Sequence, residues 1–240
     1  MTLMTPTMPS TLPDDLLPMP TQGAAEPAFS ESAFTQGALV DASDSRRTET
    51  EAFIAQVYRA RYGATLASFL PHLLAFRNDA GALRAAVGLR SGDEAPLFVE
   101  QYLDVPAEDA IAAHLGRPVS RGALVEAGNF GAVRAGDARA LIVHMTHWLH
   151  LAGFRWVLFA ATRQLRNTFD RLHLATVELA PALASRLQGD ASDWGRYYET
   201  QPTLMFGDIG AGHAYLVRSG ALPSMSPCPA WLPRAAKAGA

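Results

Sequence analysis

The sequence predicts an α/β domain, with a mixed central sheet flanked by helices, between about Glu51 and about Asp208. Segments with the 3.6-residue spacing of amphipathic helices alternate along the chain with short apolar runs that are typical of strands. Hydrophobic residues make up 49% and charged residues 18% of the 240 residues, as in ordinary globular proteins. The formal net charge of −3 creates no global field toward nucleic acid or anionic lipid, so neither is an expected partner.

Both ends of the chain are predicted to lie outside this domain. Residues 1–47 are rich in Pro, Thr, Ser, Ala and Gly and show little hydrophobic periodicity, which predicts a disordered tail. Residues 210–240 return to Ala, Gly, Pro and Ser and are predicted to form a flexible, loose tail. The domain, including a C-terminal flap, therefore spans residues 48–209.

The cysteine count and the hydropathy pattern limit the classes of protein. Cys228 is the single cysteine, which excludes a disulfide within the chain and a cysteine-cluster metal site. No stretch approaches the roughly 20 apolar residues of a spanning helix, and no basic residue precedes Arg46 as a secretory signal requires. We expect a cytoplasmic protein without a transmembrane segment.

The first predicted elements are a helix and a β-hairpin. Thr48 and Glu51 have the spacing of a capping box, and Gly63 is expected to end the helix that follows. Turn-forming residues at 78–81 separate two apolar runs, which predicts a hairpin of strands 73–77 and 83–90.

The remaining predicted elements continue the α/β alternation to the end of the domain. In chain order they are an extended segment at 97–102, a helix at 106–115, a strand at 124–133, a helix at 139–152, a buried strand at 156–161, a helix at 163–172 and a last strand at 176–179. Aromatic and apolar residues at 194–198 and 204–206 are predicted to form a flap that packs over the domain.

Three histidines on the helix at 139–152 raise the question of a metal site. His144, His147 and His150 are three residues apart, so successive side chains rotate by about 60° around the helix and lie off its apolar face. Zinc sites on one helix more often use histidines four residues apart. The spacing therefore predicts surface histidines and no metal site.

The segment 124–133, followed by a glycine turn and a long helix, resembles the fourth strand and donor loop of GNAT-type acyltransferases. Glu126 and Phe130 also resemble the Glu-x-x-Arg-Phe segment of acyl-homoserine-lactone synthases, with Asn129 in place of Arg. In that fold a bulge in the fourth strand exposes backbone N–H groups that hold the acyl carbonyl. Gly128 and Gly131 suit such a bulge, although a glycine is also tolerated at a strand end.

Over roughly residues 53–208 the chain resembles the thermostable hemolysin family. The resemblance is carried by residues 69–75, 100–104, 116–121, 126–129, 162–167 and 194–198. The family name implies lysis, whereas the fold implies an enzyme that transfers an acyl group from a thioester to the amine of a small molecule, such as an amino acid. The alternatives are a membrane-active hemolysin and a catalytically silent GNAT-fold binding module.

Amine acylation needs a base, because an ammonium group is not a nucleophile. Glu126 is the first candidate for that catalytic role and Glu100 the second, and an ion pair with a nearby arginine is the alternative for either. The resemblance implies acyl-donor contacts along the bulge and the turn after it. These residues are Gly128, Phe130, Gly131, Ala132, Val133, Arg134, Gly136 and Arg139.

The candidate acceptor-binding residues are polar and lie at strand or helix ends near the predicted cleft: Arg90, Asn129, Arg163, Arg166 and Asn167. A solvated charged face is the alternative for each arginine. The donor turn has Val133 at the usual basic position and Asp137 where a phosphate would sit, and Phe169 replaces the usual tyrosine acid. No cofactor is expected to bind permanently. The donor is expected to be an acyl carrier protein through its phosphopantetheine, in preference to coenzyme A.

Overall fold

The computed structural model describes residues 34–222, within which seven strands form one sheet in the order β1-β2-β3-β4-β5-β7-β6. The strands are β1 (Gln36–Val40), β2 (His72–Arg77), β3 (Leu83–Ser91), β4 (Leu124–Ala132), β5 (Trp156–Ala161), β6 (Thr176–Pro181) and β7 (Thr203–Asp208). The helices are α1 (Arg47–Tyr62), α2 (Ala107–Leu115), α3 (Ala135–Leu151), α4 (Arg163–Arg171) and α5 (Ile209–Arg218). Neighbouring strands are antiparallel except β4 and β5, which run parallel. The predicted mixed sheet with flanking helices is confirmed.

Alternate residues of the central strands contribute side chains to hydrophobic cores on the two faces of the sheet. Val125 and Val157 pack in the core that contains α3, α4 and α5. Leu124 and Leu158 turn to the opposite face, where they join the cluster around α2. This period-two alternation is what a strand covered by helices on both faces requires.

The N-terminal boundary of the domain lies earlier than predicted. Within the supposed tail, β1 pairs along its whole length with β2, and Leu39 and Val40 are fully buried. Phe34 is 1% exposed and stacks on Phe76 of β2 at 5.0 Å between ring centroids. The prediction of disorder is therefore wrong for residues 34–47, because the free edge of β2 binds a strand too short to show clear periodicity. Residues 1–33 lie outside the described part of the chain.

The C-terminal part of the domain also differs from the prediction. Residues 204–206, assigned to a flap, belong to β7, which lies between β5 and β6 and pairs with both. The helix α5 follows directly, with the Asp208 carboxylate accepting from the Ala211 amide at 2.9 Å and with Leu216 buried. The predicted flexible tail is thus wrong for residues 210–218, and residues 223–240 lie outside the described range.

Three local predictions are also corrected. The N-cap of α1 is Arg46 without a side-chain cap, and Glu51 pairs with Arg47 at 2.6 Å, so the expected capping box does not form. Residues 98–102 form a 3-10 helix where an extended segment was predicted. The helix α3 begins at Ala135, four residues before its predicted start.

The histidines of α3 are distributed differently from the prediction of surface side chains. His144 is 1% exposed and stacks on Phe76 at 5.4 Å, so the prediction is wrong for this residue. His147 Nδ1 lies 3.0 Å from His213 Nε2 of α5, and the His150 ring stacks on His213 at 3.9 Å. Within residues 34–222 no group of three or more His, Cys, Asp or Glu side chains is arranged to hold a metal ion.

Candidate active site

The two central parallel strands separate at their carboxyl ends. Backbone pairing between β4 and β5 runs from Leu124 and Trp156 to Glu126 and Leu158 and then stops, although both strands continue. The facing backbone edges beyond this point are therefore available to a ligand. A cavity with a volume of about 150 Å³ lies at this opening.

The predicted bulge in β4 is present and lies at the opening. Gly128 pairs with Gly88 of β3, but the next pair on that side is Gly131 with Ala86, so β4 carries one extra residue. Asn129 occupies the bulge with φ of 50°, a left-handed conformation that Asn tolerates better than most residues. Its side-chain oxygen accepts the Leu70 amide at 2.9 Å, which ties the bulge to the chain segment before β2.

The first cavity has a mainly apolar lining that comes from both sides of the opening. Five of the residues predicted for the site lie in this lining: Arg90, Glu126, Gly128, Asn129 and Phe130. Met145, Phe159, Leu165 and Phe169 add side chains from α3, β5 and α4. The side chains from α3, β5 and α4 form an apolar wall that suits an acyl chain. The Glu126 carboxyl and the bulge supply polar groups to the same cavity.

Glu126 is the most unusual ionisable side chain of the cavity, because it is only 1% exposed. Its Oε2 accepts the Phe98 amide at 2.9 Å and its Oε1 accepts the Val99 amide at 3.1 Å. Burial raises the pKa of Glu126 to about 7, against the opposing effects of the Phe98 amide and the Arg90 charge. A carboxylate with a pKa near neutral pH can accept a proton and release it again.

Glu100, the second candidate base, is fully engaged elsewhere. It forms a two-point ion pair with Arg121, at 2.6 and 2.9 Å, and accepts the Leu97 and Ala107 amides at 2.8 and 3.0 Å. The Arg121 guanidinium lowers the pKa of Glu100 to about 2. Glu100 therefore forms the ion pair that was the alternative to a catalytic role. Its hydrogen bonds connect the 3-10 helix to the start of α2.

Arg90 lies in the wall of the first cavity and also of a second one. Its Nη1 donates to the Pro96 carbonyl at 2.9 Å, and the side chain is not part of an ion pair among residues 34–222. The second cavity has a volume of about 650 Å³ and shares Ser68, Arg90, Phe98 and Trp194 with the first. A guanidinium at this junction can bind an anionic group that enters from the larger cavity.

The predicted donor turn lies away from both cavities. Gly131 is buried under α1, Ala132 pairs with Ala85, and Val133, Arg134, Gly136 and Arg139 are exposed around the start of α3. The Asp137 carboxylate accepts from the Arg134 amide at 3.1 Å and from Arg84 at 2.8 Å. Asp137 is therefore a helix-capping residue whose charge is paired with an arginine.

Three of the predicted acceptor residues are not brought to the cavities. Arg163 and Asn167 are exposed on α4, and Arg166 lies 3.7 Å from Glu178 of β6. The same helix turns Leu165 and Phe169 toward the first cavity. The periodicity of α4 explains this arrangement, since its apolar stripe faces inward and its charged residues occupy the other side.

A cluster of tyrosines is the part of the site that sequence reasoning missed. Tyr58 of α1 and Tyr197, from the segment after β6, line the first cavity with Tyr102 and Trp194. The hydroxyls of Tyr102 and Tyr198 are 2.5 Å apart. Tyr197, with Trp194 and Tyr198 beside it, packs in the same cluster as Tyr58. Tyr58 could have been noticed as a polar-tipped residue on the buried face of α1, but its position in the cavity depends on the tertiary fold.

The fold is shared with AHL synthases and with an N-acyl amino acid synthase. The AHL synthase LasI matches with a TM-score of 0.51 at 9% identity, over 80% of this chain and 99% of that one. FeeM, an N-acyl amino acid synthase from uncultured soil microbes, matches with a TM-score of 0.50 at 12% identity, over 76% of this chain and 96% of that one. TofI in an apo form matches with a TM-score of 0.52 at 13% identity, over 80% of this chain and 98% of that one.

The chain belongs to the thermostable hemolysin family, whose model matches residues 40–213. No match was found among the curated proteins. In the described residues, no helix combines the length and hydropathy needed to cross a membrane.

Proposed function

We propose that the protein is an N-acyltransferase that moves an acyl group from a thioester donor to the amine of a small molecule, such as an amino acid. The observation that carries the proposal is the buried Glu126 carboxyl, with a pKa of about 7, in the wall of a cavity beside the β4 bulge. The reaction needs a base that takes a proton from the attacking amine and polar groups beside the acyl oxygen.

The thioester donor occupies the first cavity in this proposal. Its acyl chain packs against Phe159, Leu165 and Phe169, and its carbonyl oxygen lies beside the β4 bulge. A dry cavity of about 150 Å³ accommodates a group of about the size of benzene. A panel of donors should therefore start with chains of about six carbon atoms.

The acceptor approaches from the second cavity. Arg90, at the junction, binds the carboxylate of an amino acid, which directs the amine toward Glu126. Glu126 takes a proton as the nitrogen attacks the thioester carbon. Close placement of the two reactants supplies much of the rate increase in such transfers.

An acyl carrier protein is the proposed donor, with coenzyme A as the alternative. The Asp137 carboxylate already caps the start of α3, where a pyrophosphate would otherwise bind. Arg134 and Arg139 are exposed near the start of α3 and Arg163 is exposed at the start of α4, and these charges favour an acidic protein partner by charge steering. We expect the carrier-bound thioester to have the larger second-order rate constant, and this advantage should shrink at high salt.

The test is incubation of the purified protein with acyl thioesters and a pool of amines, followed by mass spectrometry. Glu126→Gln is expected to lower turnover by about 100-fold or more, the usual scale for loss of a general base. Glu199→Gln makes the same chemical change at an exposed carboxylate and should leave turnover unchanged. Equal turnover in the wild type and Glu126→Gln would contradict the assigned role.

The family name suggests a second candidate, a membrane-active hemolysin, and the silent binding module is the third. Dye release from liposomes, with and without a thioester and an amine, separates these possibilities. An acyltransferase should release dye only when both substrates are present, if its product is lytic. Rapid release by the protein alone would favour direct membrane action, and thioester binding without any product would favour the binding module.

A further inference from the structure

Two tyrosine hydroxyls lie against the separated edges of β4 and β5. The Phe130 amide, in the bulge of β4, faces the Tyr58 hydroxyl and opposes the rise of its pKa on burial. On the other side, the Tyr197 hydroxyl donates to the Ala160 carbonyl of β5 at 3.4 Å. The two rings stack with centroids 6.2 Å apart, and both residues line the first cavity. The polar groups at the opening are therefore side-chain hydroxyls as well as backbone amides.

The two hydroxyls differ in what they offer a ligand. Tyr197 uses its proton in the bond to Ala160, whereas Tyr58 presents its oxygen to the Phe130 amide. The Tyr58 proton is thus left for a group inside the cavity. An O–H that accepts a hydrogen bond from an amide also becomes a stronger donor, since bonds in a chain polarise one another.

We propose that Tyr58 is a catalytic residue that donates a hydrogen bond to the acyl oxygen of the bound thioester. The inference rests on the acyl transfer proposed above. The acceptor enters as the free amine, with its ammonium proton already released to water. Its nitrogen attacks the carbonyl carbon, the π electrons move to the oxygen, and Glu126 takes the proton that the nitrogen loses. The C=O bond then re-forms as the C–S bond breaks, and the thiolate leaves with the electron pair and recovers a proton from Glu126 or from water.

Throughout this step Tyr58 keeps its proton and stabilises the negative oxygen. Burial raises the pKa of the Tyr58 hydroxyl, which suits a hydrogen-bond donor and not a proton source. Phe169, at the position where the fold usually has a tyrosine acid, stacks on Phe159 at 4.7 Å and has no proton to offer. Tyr58 supplies a donor from the α1 side of the cavity.

The first arm of the test compares turnover in Tyr58→Phe and Tyr62→Phe. Tyr62 lies one turn further along α1, 5.6 Å from the Tyr58 ring, and is not among the residues that line the first cavity. Tyr58→Phe should lower kcat by about 100-fold, the scale for removing one oxyanion donor, and should raise KM for the donor by no more than about fivefold. Tyr62→Phe should behave as the wild type. Equal kcat values in Tyr58→Phe and the wild type would overturn the proposal.

The second arm measures binding and needs no turnover. The probes are a ketone analogue of acyl-pantetheine, in which a methylene replaces the sulfur, and a matched thioether that lacks the carbonyl. The wild type should bind the ketone about fivefold more tightly than the thioether, and Tyr58→Phe should remove this preference. Tyr62→Phe should keep it, and thermal unfolding of each variant verifies that the fold is intact.

The two arms distinguish failure of the inference from failure of the proposed function. If no donor and amine pair gives a product with the wild type, acyl transfer fails, and the ketone preference alone then decides whether Tyr58 binds an acyl oxygen. A ketone preference that depends on Tyr58 supports the inference. Equal affinity of the wild type for ketone and thioether overturns it, whatever the turnover result.

Discussion

At the scale of single residues, Glu126 shows how the surroundings of a carboxyl set its chemistry. Glu126 and Glu100 both accept backbone amides close to the same 3-10 helix, yet burial raises the pKa of one to about 7 and an arginine lowers that of the other to about 2. The difference lies in the partner: Arg121 forms an ion pair with Glu100, whereas Arg90 influences Glu126 without forming one. Only Glu126 can take up and release a proton near neutral pH.

The raised pKa of Glu126 predicts a pH-dependent effect on stability. The folded state holds this proton up to about pH 7, whereas the unfolded chain releases it near 4.5, so the wild type loses stability as pH rises through that window. Glu126→Gln removes this loss. Relative to the wild type, its free energy of unfolding should therefore rise by about 2 to 3 kcal/mol between pH 5 and pH 8.5.

Denaturant titrations of the wild type and Glu126→Gln at a series of pH values measure this difference. The side-chain NH2 that Glu126→Gln introduces faces a backbone N–H, which lowers the free energy of unfolding. This penalty is the same at every pH, so it does not change how stability varies with pH. Parallel stability curves for the two proteins would show that Glu126 does not have a raised pKa.

At the scale of elements, the bulge in β4 depends on close packing against Leu70. The paired glycines Gly88 and Gly128 both face this side chain: an added Cβ would lie 2.9 Å from Leu70 Cβ at one and 3.0 Å from Leu70 Cδ1 at the other. Asn129 in the bulge accepts the Leu70 amide. The glycines thus let the segment before β2 lie directly on the strand opening.

Gly88→Ala should therefore destabilise the protein by about 1 to 3 kcal/mol, the usual cost of overpacking, and disturb the bulge. Gly136→Ala is the matched control, because nothing lies within 4 Å of its added Cβ in the first turn of α3. That variant should be neutral or up to about 1 kcal/mol more stable. The measurement is the midpoint of thermal unfolding of each variant. Equal midpoints for Gly88→Ala and Gly136→Ala would contradict the close packing against Leu70.

At the scale of the whole molecule, β1 closes one edge of the sheet and completes a core. Leu39 is fully buried in the cluster that contains Phe76 and Trp148. Gly37 lies so close to Trp148 that an added Cβ would stand 2.4 Å from the indole. The edge strand is therefore packed closely against α3.

We predict that a chain beginning at residue 46 is far less stable than one beginning at residue 33. The shorter chain loses the buried side chains of Phe34, Leu39 and Val40, worth about 5 kcal/mol or more together, which approaches the stability of a typical domain. The loss should appear as a much lower thermal midpoint or no cooperative transition. Gly37→Ala in the full-length chain should also destabilise, and identical midpoints for the two shortened chains would contradict this role of β1.

Features that depend on neighbours along the chain could be predicted from the sequence. Local residue spacing and the positions of glycine and proline predict three such features. They are the apolar run of β5, the helix α2 between Pro106 and Gly116, and the bulge beside Gly128. Glu126 could be selected because a charged residue in a central strand is unusual. In each case the determining interactions span a few residues.

The order of strands and the meeting of distant side chains were decided by tertiary structure. β7 lies between β5 and β6 although it follows both in the chain. β1 is too short to be identified as a strand from its sequence, and its pairing with the edge of β2 defines it. The Phe98 amide reaches Glu126 across 28 positions, and Tyr58 meets Phe130 across 72. Sequence periodicity contains no information on such pairings, because they arise from the packing of whole elements in three dimensions.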